Sequence, residues 1–292
     1  YEIYQCDWSS DVCSSDLNLT LGDIRDESQI YSISNNCDAI INLAALIGIP
    51  YSYQAPNSYV STNIYGTLNL CNAAIRNNIK HFIQISTSEV YGTAKFVPID
   101  ENHPLQPQSP YSASKIGADA LALSYANAFD LPVTIARPFN TFGPRQSRRA
   151  VIPAIISQLL NKSLDFVSLG NINAIRDFNY ITDTINRIVL VLNAENIQKE
   201  VYNLGGSGAF SIIQIFNKIK TILKIDKEIS IEKNKIRPEK SEVEKLVCDS
   251  SKFDLTFGKY NPTNIDLALQ KTIDWFIENK NNFLFNLQSE EI

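Results

Sequence analysis

From residue 18 onward, short apolar runs alternate with longer amphipathic segments. LTLGD (19–23) reads as the end of a strand, and DAIINLAAL (38–46) as a buried strand running into a small-residue loop. KHFIQIS (80–86), PVTIARP (132–138) and EVYNLG (200–205) predict three more strands, the last returning to the same sheet. Between them, 57–77 places Val60, Ile64, Leu68, Cys71 and Ile75 at steps of three and four, the helical period. An Ala-rich helix follows over 112–129. Beyond Pro138 the rhythm changes: helices over 151–160, 180–192, 212–223 and 265–278 are joined by longer polar loops. The charged stretch 224–245 holds Ile229, Ile231 and Ile236, which predicts a solvated loop with a short strand. Strands alternating with helices predict a parallel sheet covered on both faces, and right-handed crossovers make it doubly wound. The expectation is therefore an α/β protein. Residues 18–140 would form the sheet-bearing part and 141–292 a smaller lobe, interleaved with it through the strand near 200–205.

Composition narrows the classes. With 292 residues, 44% of them hydrophobic, the chain can bury a sizeable core. Its net charge of -5 comes from mixed signs without a basic stripe, which argues against a nucleic-acid partner. The longest apolar run, 39–51, is interrupted by Asn42 and is too short to span a bilayer, so no membrane partner is expected. Five cysteines (Cys6, Cys13, Cys37, Cys71, Cys248) are odd in number and match no metal-ligand spacing. A reducing, cytoplasmic setting without a metal is the resulting expectation.

Three constellations carry candidate chemistry. In YSASK, Tyr111 and Lys115 stand four apart at a helix start and share a face. A nearby ammonium favours a phenolate, so the pair reads as a base near neutral pH, with the lysine in reach of a ribose hydroxyl. An ordinary surface pair is the alternative for the spacing taken alone. In QISTSEVYG, Thr87, Ser88 and Glu89 leave the C-terminal end of a strand, where open α/β sheets bind ligands. A carboxylate there is suited to taking a proton alpha to a carbonyl, though a Ser/Thr cap followed by Glu is also a common helix start. Third, Arg145, Arg176 and Arg237 lie in separate segments whose guanidinium forks suit phosphate oxygens. Arg145, Arg148 and Arg149 read equally well as surface residues, which leaves Arg176 and Arg237 as the functional candidates, and His81 and His103 read as structural.

GDIRD, NLAAL, STSEVYG, SPYSASK, RPFNTFGPRQ and RDFNYITD, in this order, resemble the extended short-chain dehydrogenase/reductases, and within them the nucleotide-sugar 4,6-dehydratases. AALIGIPYSY (44–53) and RPEKSEVE (237–244) resemble the branch acting on nucleotide-linked N-acetylglucosamine in legionaminic acid synthesis. The resemblance implies an NAD-binding Rossmann-type fold and a lyase acting in polysaccharide biosynthesis. Tyr111, helped by Lys115, would take the proton of the sugar 4-hydroxyl as hydride leaves C4 for NAD. Thr87 would bond the same oxygen. Glu89 would then remove the C5 proton as water departs from C6. Asp23 and Ile24 would hold the adenine end of NAD, Leu43, Ala44 and Ala45 would line the cofactor, and Thr62 would lie near its phosphates. Asn140, Arg176 and Arg237 would hold the sugar nucleotide. The helices over 57–77 and 112–129 would form a homodimer interface.

The sequence departs from that pattern in three places. Ser88 stands where glucose-nucleotide dehydratases carry an acidic aspartate; a serine is found in the GDP-mannose type, and it leaves the proton donor to the departing hydroxide open. Asn42 replaces a frequent histidine. A Gly-rich turn after a first strand, which lets backbone approach a pyrophosphate, is not found. GGSG (205–208) comes late and reads as a turn. Where the first βαβ unit is expected stands DWSSDVCSSDL (7–17), which resembles a translated sequencing adapter, and the chain has no methionine. The expectation is that residues 1–17 are non-native, that the first βαβ unit is missing, and that the chain as written is unstable and binds NAD poorly. Competing readings are a UDP-glucuronate decarboxylase, a nucleotide-sugar 4-epimerase, and an inactive fragment with an NAD-binding fold.

Overall fold

A computed structural model describes residues 18–232 and 243–279. The segment 19–23 is not a strand: it has no hydrogen-bonded neighbour among the described residues, and Leu19 and Leu21 are 79% and 70% exposed. A lone extended segment has nothing to satisfy its backbone, and here Gln29 does so instead, donating to Leu21 O and accepting from Asp23 N–H. Asp26 caps α1 (Glu27–Ile33), after which β1 (Ala39–Asn42) enters the sheet. Two short helices, α2 (Ile49–Gln54) and α3 (Pro56–Tyr59), lead through a π turn (Val60–Tyr65) into α4 (Gly66–Arg76).

The predicted helix over 57–77 is thus present but changes phase in the middle. A π turn takes up extra residues, so the stripe read from the sequence does not stay on one face. Val60 and Tyr65 point outward, 47% and 60% exposed, while Asn63, Thr67, Leu70, Cys71 and Ala74 are buried.

β2 (His81–Ile85) is followed by a one-turn 3₁₀ helix (Ser88–Tyr91), then by α5 (Pro110–Phe129) and β3 (Val133–Pro138). After β4 (Thr141–Phe142) come α6 (Val151–Leu160), β5 (Phe166–Leu169), β6 (Ile175–Asp177), β7 (Asn179–Tyr180) and α7 (Ile181–Leu192). β8 (Glu200–Leu204) returns to the main sheet, as predicted. The chain continues with β9 (Ala209–Ser211), α8 (Ile212–Leu223), β10 (Glu228–Ile231), β11 (Lys245–Leu246), α9 (Ser251–Phe257) and α10 (Ile265–Glu278).

The main sheet runs β1–β2–β3–β8, all parallel. Its strands are apolar on both faces, the signature of a sheet covered on both sides. Phe82, Val133 and Ile135 pack with Leu70, Ala74 and Ala122 of α4 and α5 on one face. Ile83, Ala136, Tyr202 and Leu204 pack with Val191 of α7 and Phe253 of α9 on the other. A separate core joins α6, α8 and α10 over β5, with Ile155, Val167, Ile219 and Ile273 buried in it. Asp177 ties this part to the sheet. Its buried carboxylate accepts the backbone N–H groups of Gly206, Ser207 and Cys248, so the GGSG stretch is the turn that the sequence predicts.

Candidate active site

The loops at the C-terminal ends of β1, β2 and β3 converge on the start of α5. β2 ends in Ser86, and Thr87, in extended backbone, caps the 3₁₀ turn by accepting the Glu89 N–H at 3.2 Å. The cap reading of this motif is therefore correct, and it serves the functional one, because the cap fixes where Glu89 leaves the sheet. Gly92 closes the turn at φ +61°, where a Cβ would lie 2.3 Å from Gln106 O.

Opposite, α5 starts with a Ser109–Ser112 capping box and Pro110 in the first turn. That start places Tyr111 and Lys115 on one face in the first two turns, as the spacing predicts. Tyr111 is buried, with Thr87 near enough to its phenol to act on its pKa. Its ring packs edge-on to Tyr59, centroids 6.3 Å apart, and Tyr59 donates to Gly48 O.

The electrostatics differ from the sequence expectation. Burial pushes the Tyr111 phenol well above the ordinary tyrosine value, Thr87 pulls it down, and the charges of Glu89 and Asp119 push it further up. Lys115 is buried too, and its ammonium donates to Ile85 O at 2.6 Å instead of pairing with the phenol. Tyr111 is thus a neutral phenol in this arrangement. Burial lowers Lys115, and the Asp119 carboxylate opposes that shift.

On the β1 side, Leu43 and Ala44 are exposed and Ala45 is half-buried. Thr62 is half-buried in the π turn, but the residue that organises the loop after β1 is its neighbour. Asn63 accepts from Leu46 N–H at 2.9 Å, donates to Leu46 O at 3.0 Å and donates to Ser114 Oγ at 2.9 Å. It clamps the loop after β1 to α5. Asp23 is exposed and held by Arg25, which keeps its carboxyl below the usual range. Ile24 sits against Gly66, where a Cβ would meet it at 2.2 Å, and its carbonyl accepts from Asn69. Below the loop, Asn42 donates to Gln84 Oε1 at 2.9 Å, and both are buried.

On the far side, Asn140 follows β3 with its side-chain oxygen buried and without a hydrogen-bond partner. Arg176 is buried on β6 and donates to Ile175 O at 2.9 Å. Arg237 lies outside the described residues. Arg145 and Arg149 are exposed, and Arg149 lies near enough to act electrostatically on Tyr59. His103 is buried and structural, accepting from Lys95 N–H.

Four residues were missed by the sequence reading: Ser86, Asn63, Asp119 and Arg137. A signal existed for three of them. Asn63 is polar on an apolar helix, Asp119 stands four after Lys115, and Arg137 interrupts an apolar strand. Among the described residues no group of His, Cys, Asp and Glu side chains could hold a metal ion, and no helix is long and apolar enough to cross a membrane.

The profile of the GDP-mannose 4,6-dehydratase family matches residues 5–272. The low-salt glycan biosynthesis protein Agl12 of Haloferax volcanii is 38% identical over 198 residues, which cover 68% of this chain and 63% of the relative. A dTDP-glucose 4,6-dehydratase of Actinoplanes is 38% identical over 63% of this chain and 57% of its own length. The chain therefore spans less than two thirds of these relatives. Among solved structures, a dTDP-glucose 4,6-dehydratase of Streptomyces venezuelae, with NAD bound, superposes with a TM-score of 0.83 at 27% identity, over 92% of this chain and 82% of the other. A UDP-glucuronic acid 4-epimerase of Bacillus cereus, in complex with UDP-glucuronic acid and NAD, superposes with a TM-score of 0.85 at 29% identity, over 91% and 83%.

Proposed function

The chain belongs to the GDP-mannose 4,6-dehydratase family, and on that premise we propose that it is a nucleotide-sugar 4,6-dehydratase, a lyase forming a 4-keto-6-deoxy sugar. The observation that carries the reading is the meeting of two motifs. The Thr87–Ser88–Glu89 turn at the end of β2 meets Tyr111 and Lys115 at the start of α5: Thr87 and Glu89 are near enough to act on the phenol, and Lys115 is seated on Ile85 O.

NAD suits the described part of the site: exposed Leu43 and Ala44 and half-buried Ala45 after β1 would line it, Thr62 would lie near its phosphates, and Lys115, seated on the end of β2, would reach a ribose hydroxyl. Asp23 and Ile24 would hold its adenine end. When bound, it would supply the acceptor for the hydride that leaves the sugar C4 and the source of the hydride that returns to C6, so that it ends each turnover oxidised. The protein's own groups move protons. Tyr111, once ionised, receives the proton of the 4-hydroxyl, and Thr87 bonds the same oxygen and orients it. The phenol, pushed up by burial and by the Glu89 and Asp119 charges, needs a compensating positive charge close by to act as a base, and Lys115 is the cation one helical turn away. Glu89, half-buried, removes the proton at C5 once C4 is a ketone. Ser88 is the polar side chain beside it for the departing hydroxide.

Asn140 offers its unpartnered buried oxygen to the sugar nucleotide, and Arg176 and Arg237 meet its diphosphate. Nucleotide-linked N-acetylglucosamine is the substrate we favour, on the likeness of 44–53 and 237–244 to that branch. Two copies would pair through α4 and α5 together with the π turn before α4, where Val60 and Tyr65 lie exposed. A cytoplasmic location and a role in polysaccharide biosynthesis follow from such a substrate.

The test is incubation of the protein and NAD with UDP-N-acetylglucosamine, dTDP-glucose, GDP-mannose and UDP-glucuronate, with products read by mass spectrometry. Loss of one water is the expected result. Loss of carbon dioxide from UDP-glucuronate would establish a decarboxylase. An isomer of unchanged mass would establish the epimerase reading, which the superposition on the Bacillus cereus enzyme keeps in view.

A further inference from the structure

A buried charge cluster lies behind the candidate site, and no step above uses it as such. Asp119 follows Lys115 by one helical turn on α5, so the two share a face, and both are closed to solvent. Asp119 Oδ2 collects three donors: Ser86 Oγ at 2.7 Å, Arg137 Nη2 at 3.2 Å and Arg137 Nε at 3.3 Å. Its Oδ1 has no hydrogen-bond partner. Arg137, on β3, also donates to Tyr91 OH at 3.1 Å, and Tyr91 donates to Asn203 Oδ1 at 2.7 Å. The cluster joins the ends of β2, β3 and β8 to one helix.

The mechanical consequence is local. Ser86 lies between Ile85, whose carbonyl seats Lys115, and Thr87, which lies near the Tyr111 phenol. Holding Ser86 holds both. The electrostatic consequence follows from counting charges: two buried cations, Lys115 and Arg137, face one anion. A buried ammonium without a counter-charge gives up its proton, because burial favours the neutral form.

We infer that Asp119 is a positioning residue of this site: it fixes the Ser86–Thr87 corner through Oδ2 and keeps Lys115 an ammonium seated on the end of β2. The inference rests on the proposed reading only in treating Lys115, Thr87 and Tyr111 as the working groups.

The groups acting on Asp119 are Lys115 on its own helix, Arg137 on β3 and Ser86 on β2. Asp119 in turn raises Tyr111, which also feels Glu89 and Tyr59, while Tyr91, bonded to Arg137, feels Glu101. Burial pushes the Asp119 carboxyl up and Arg137 pulls it back. With three donors converging on one oxygen, the anion is the form this geometry accommodates. Asp119 raises Lys115 against the effect of burial. Removing the charge therefore lets Lys115 fall further, and lets Tyr111 fall as well.

The test is Asp119→Asn in the full chain, with the titration of Lys115 followed by NMR of selectively labelled lysine side chains and assigned with Lys115→Met. This readout needs neither cofactor nor substrate. Lys115 is expected to titrate at lower pH in Asp119→Asn, and at higher pH in Arg137→Gln, where Asp119 serves Lys115 alone. In turnover assays both limbs of the kcat/KM profile of Asp119→Asn are expected to move to lower pH, which a purely structural role would not produce. A Lys115 titration that is the same in wild type and both variants overturns the inference. So does failure of both variants to fold, which would make the pair structural. Shifted titrations in a protein that turns over none of the nucleotide sugars would uphold the inference and sink the dehydratase reading.

Discussion

Glu89 and Tyr111 pose opposite problems at the scale of single residues. The carboxylate sits on a short turn and needs only placement, whereas the phenol is held in its neutral form by burial and by the anions around it. Glu89→Gln keeps the shape of the turn and removes the base. Turnover is expected to fall by about 10²- to 10⁴-fold, with an unchanged melting temperature by circular dichroism. His81 gives a prediction about stability. Its ring nitrogens meet Leu192 O at 3.2 Å and Thr134 Oγ1 at 3.1 Å, and burial lowers its pKa. A base depressed in the folded state contributes stability that is present above its unfolded value, about 6.5. That contribution is lost as pH falls through the folded value. Melting temperature should therefore drop on acidification below about pH 6.5. His81→Gln should show a flatter slope in that window; an equal slope would mean that other groups dominate it.

At the scale of elements, the site depends on two clamps. Asn63, itself buried, fastens the loop after β1 to α5 with three hydrogen bonds. Asn63→Ala leaves Leu46 N–H and C=O without partners and is expected to cost about 1–3 kcal/mol in urea unfolding. Gly92 closes the turn that carries Glu89. Gly92→Ala combines a positive φ with a clash against Gln106 backbone, so soluble yield and unfolding free energy should both fall, the latter by about 1–3 kcal/mol. Elements with strong periodicity were legible before any coordinates: α8 and α10 have the predicted bounds, and β2 and β3 the predicted runs. The π turn was not legible. Local spacing reports the phase of a regular helix, and a change of phase shows only in which residues end up inside.

At the scale of the whole molecule, the sheet brings together residues far apart in the chain. Asn42, Ile85, Arg137 and Leu204 stand at or near the same end of four parallel strands, and the site follows from that alignment. The π turn before α4 leaves Val60 and Tyr65 exposed, while Ile64 packs against Gly117 of α5. If two copies pair through this face, Tyr65→Asp should yield a monomer by sedimentation velocity while the wild type sediments as a dimer. A wild-type monomer at micromolar concentration would refute the pairing.

The sequence by itself determined the fold class, the returning strand and the two motifs that meet at the site. Each is written in short-range terms: alternation of apolar runs, a cap, a spacing of four. It did not determine the charge state of Tyr111, the seat of Lys115 on Ile85 O, or the Asp119–Arg137 cluster behind them. Those depend on burial and on neighbours from β2, β3 and β8. Desolvation and through-space charge are properties of the packed interior, and spacing along the chain does not contain them. Likewise LTLGD has the composition of a strand, but a strand exists only where another strand accepts its hydrogen bonds, and tertiary structure decided that it is none here.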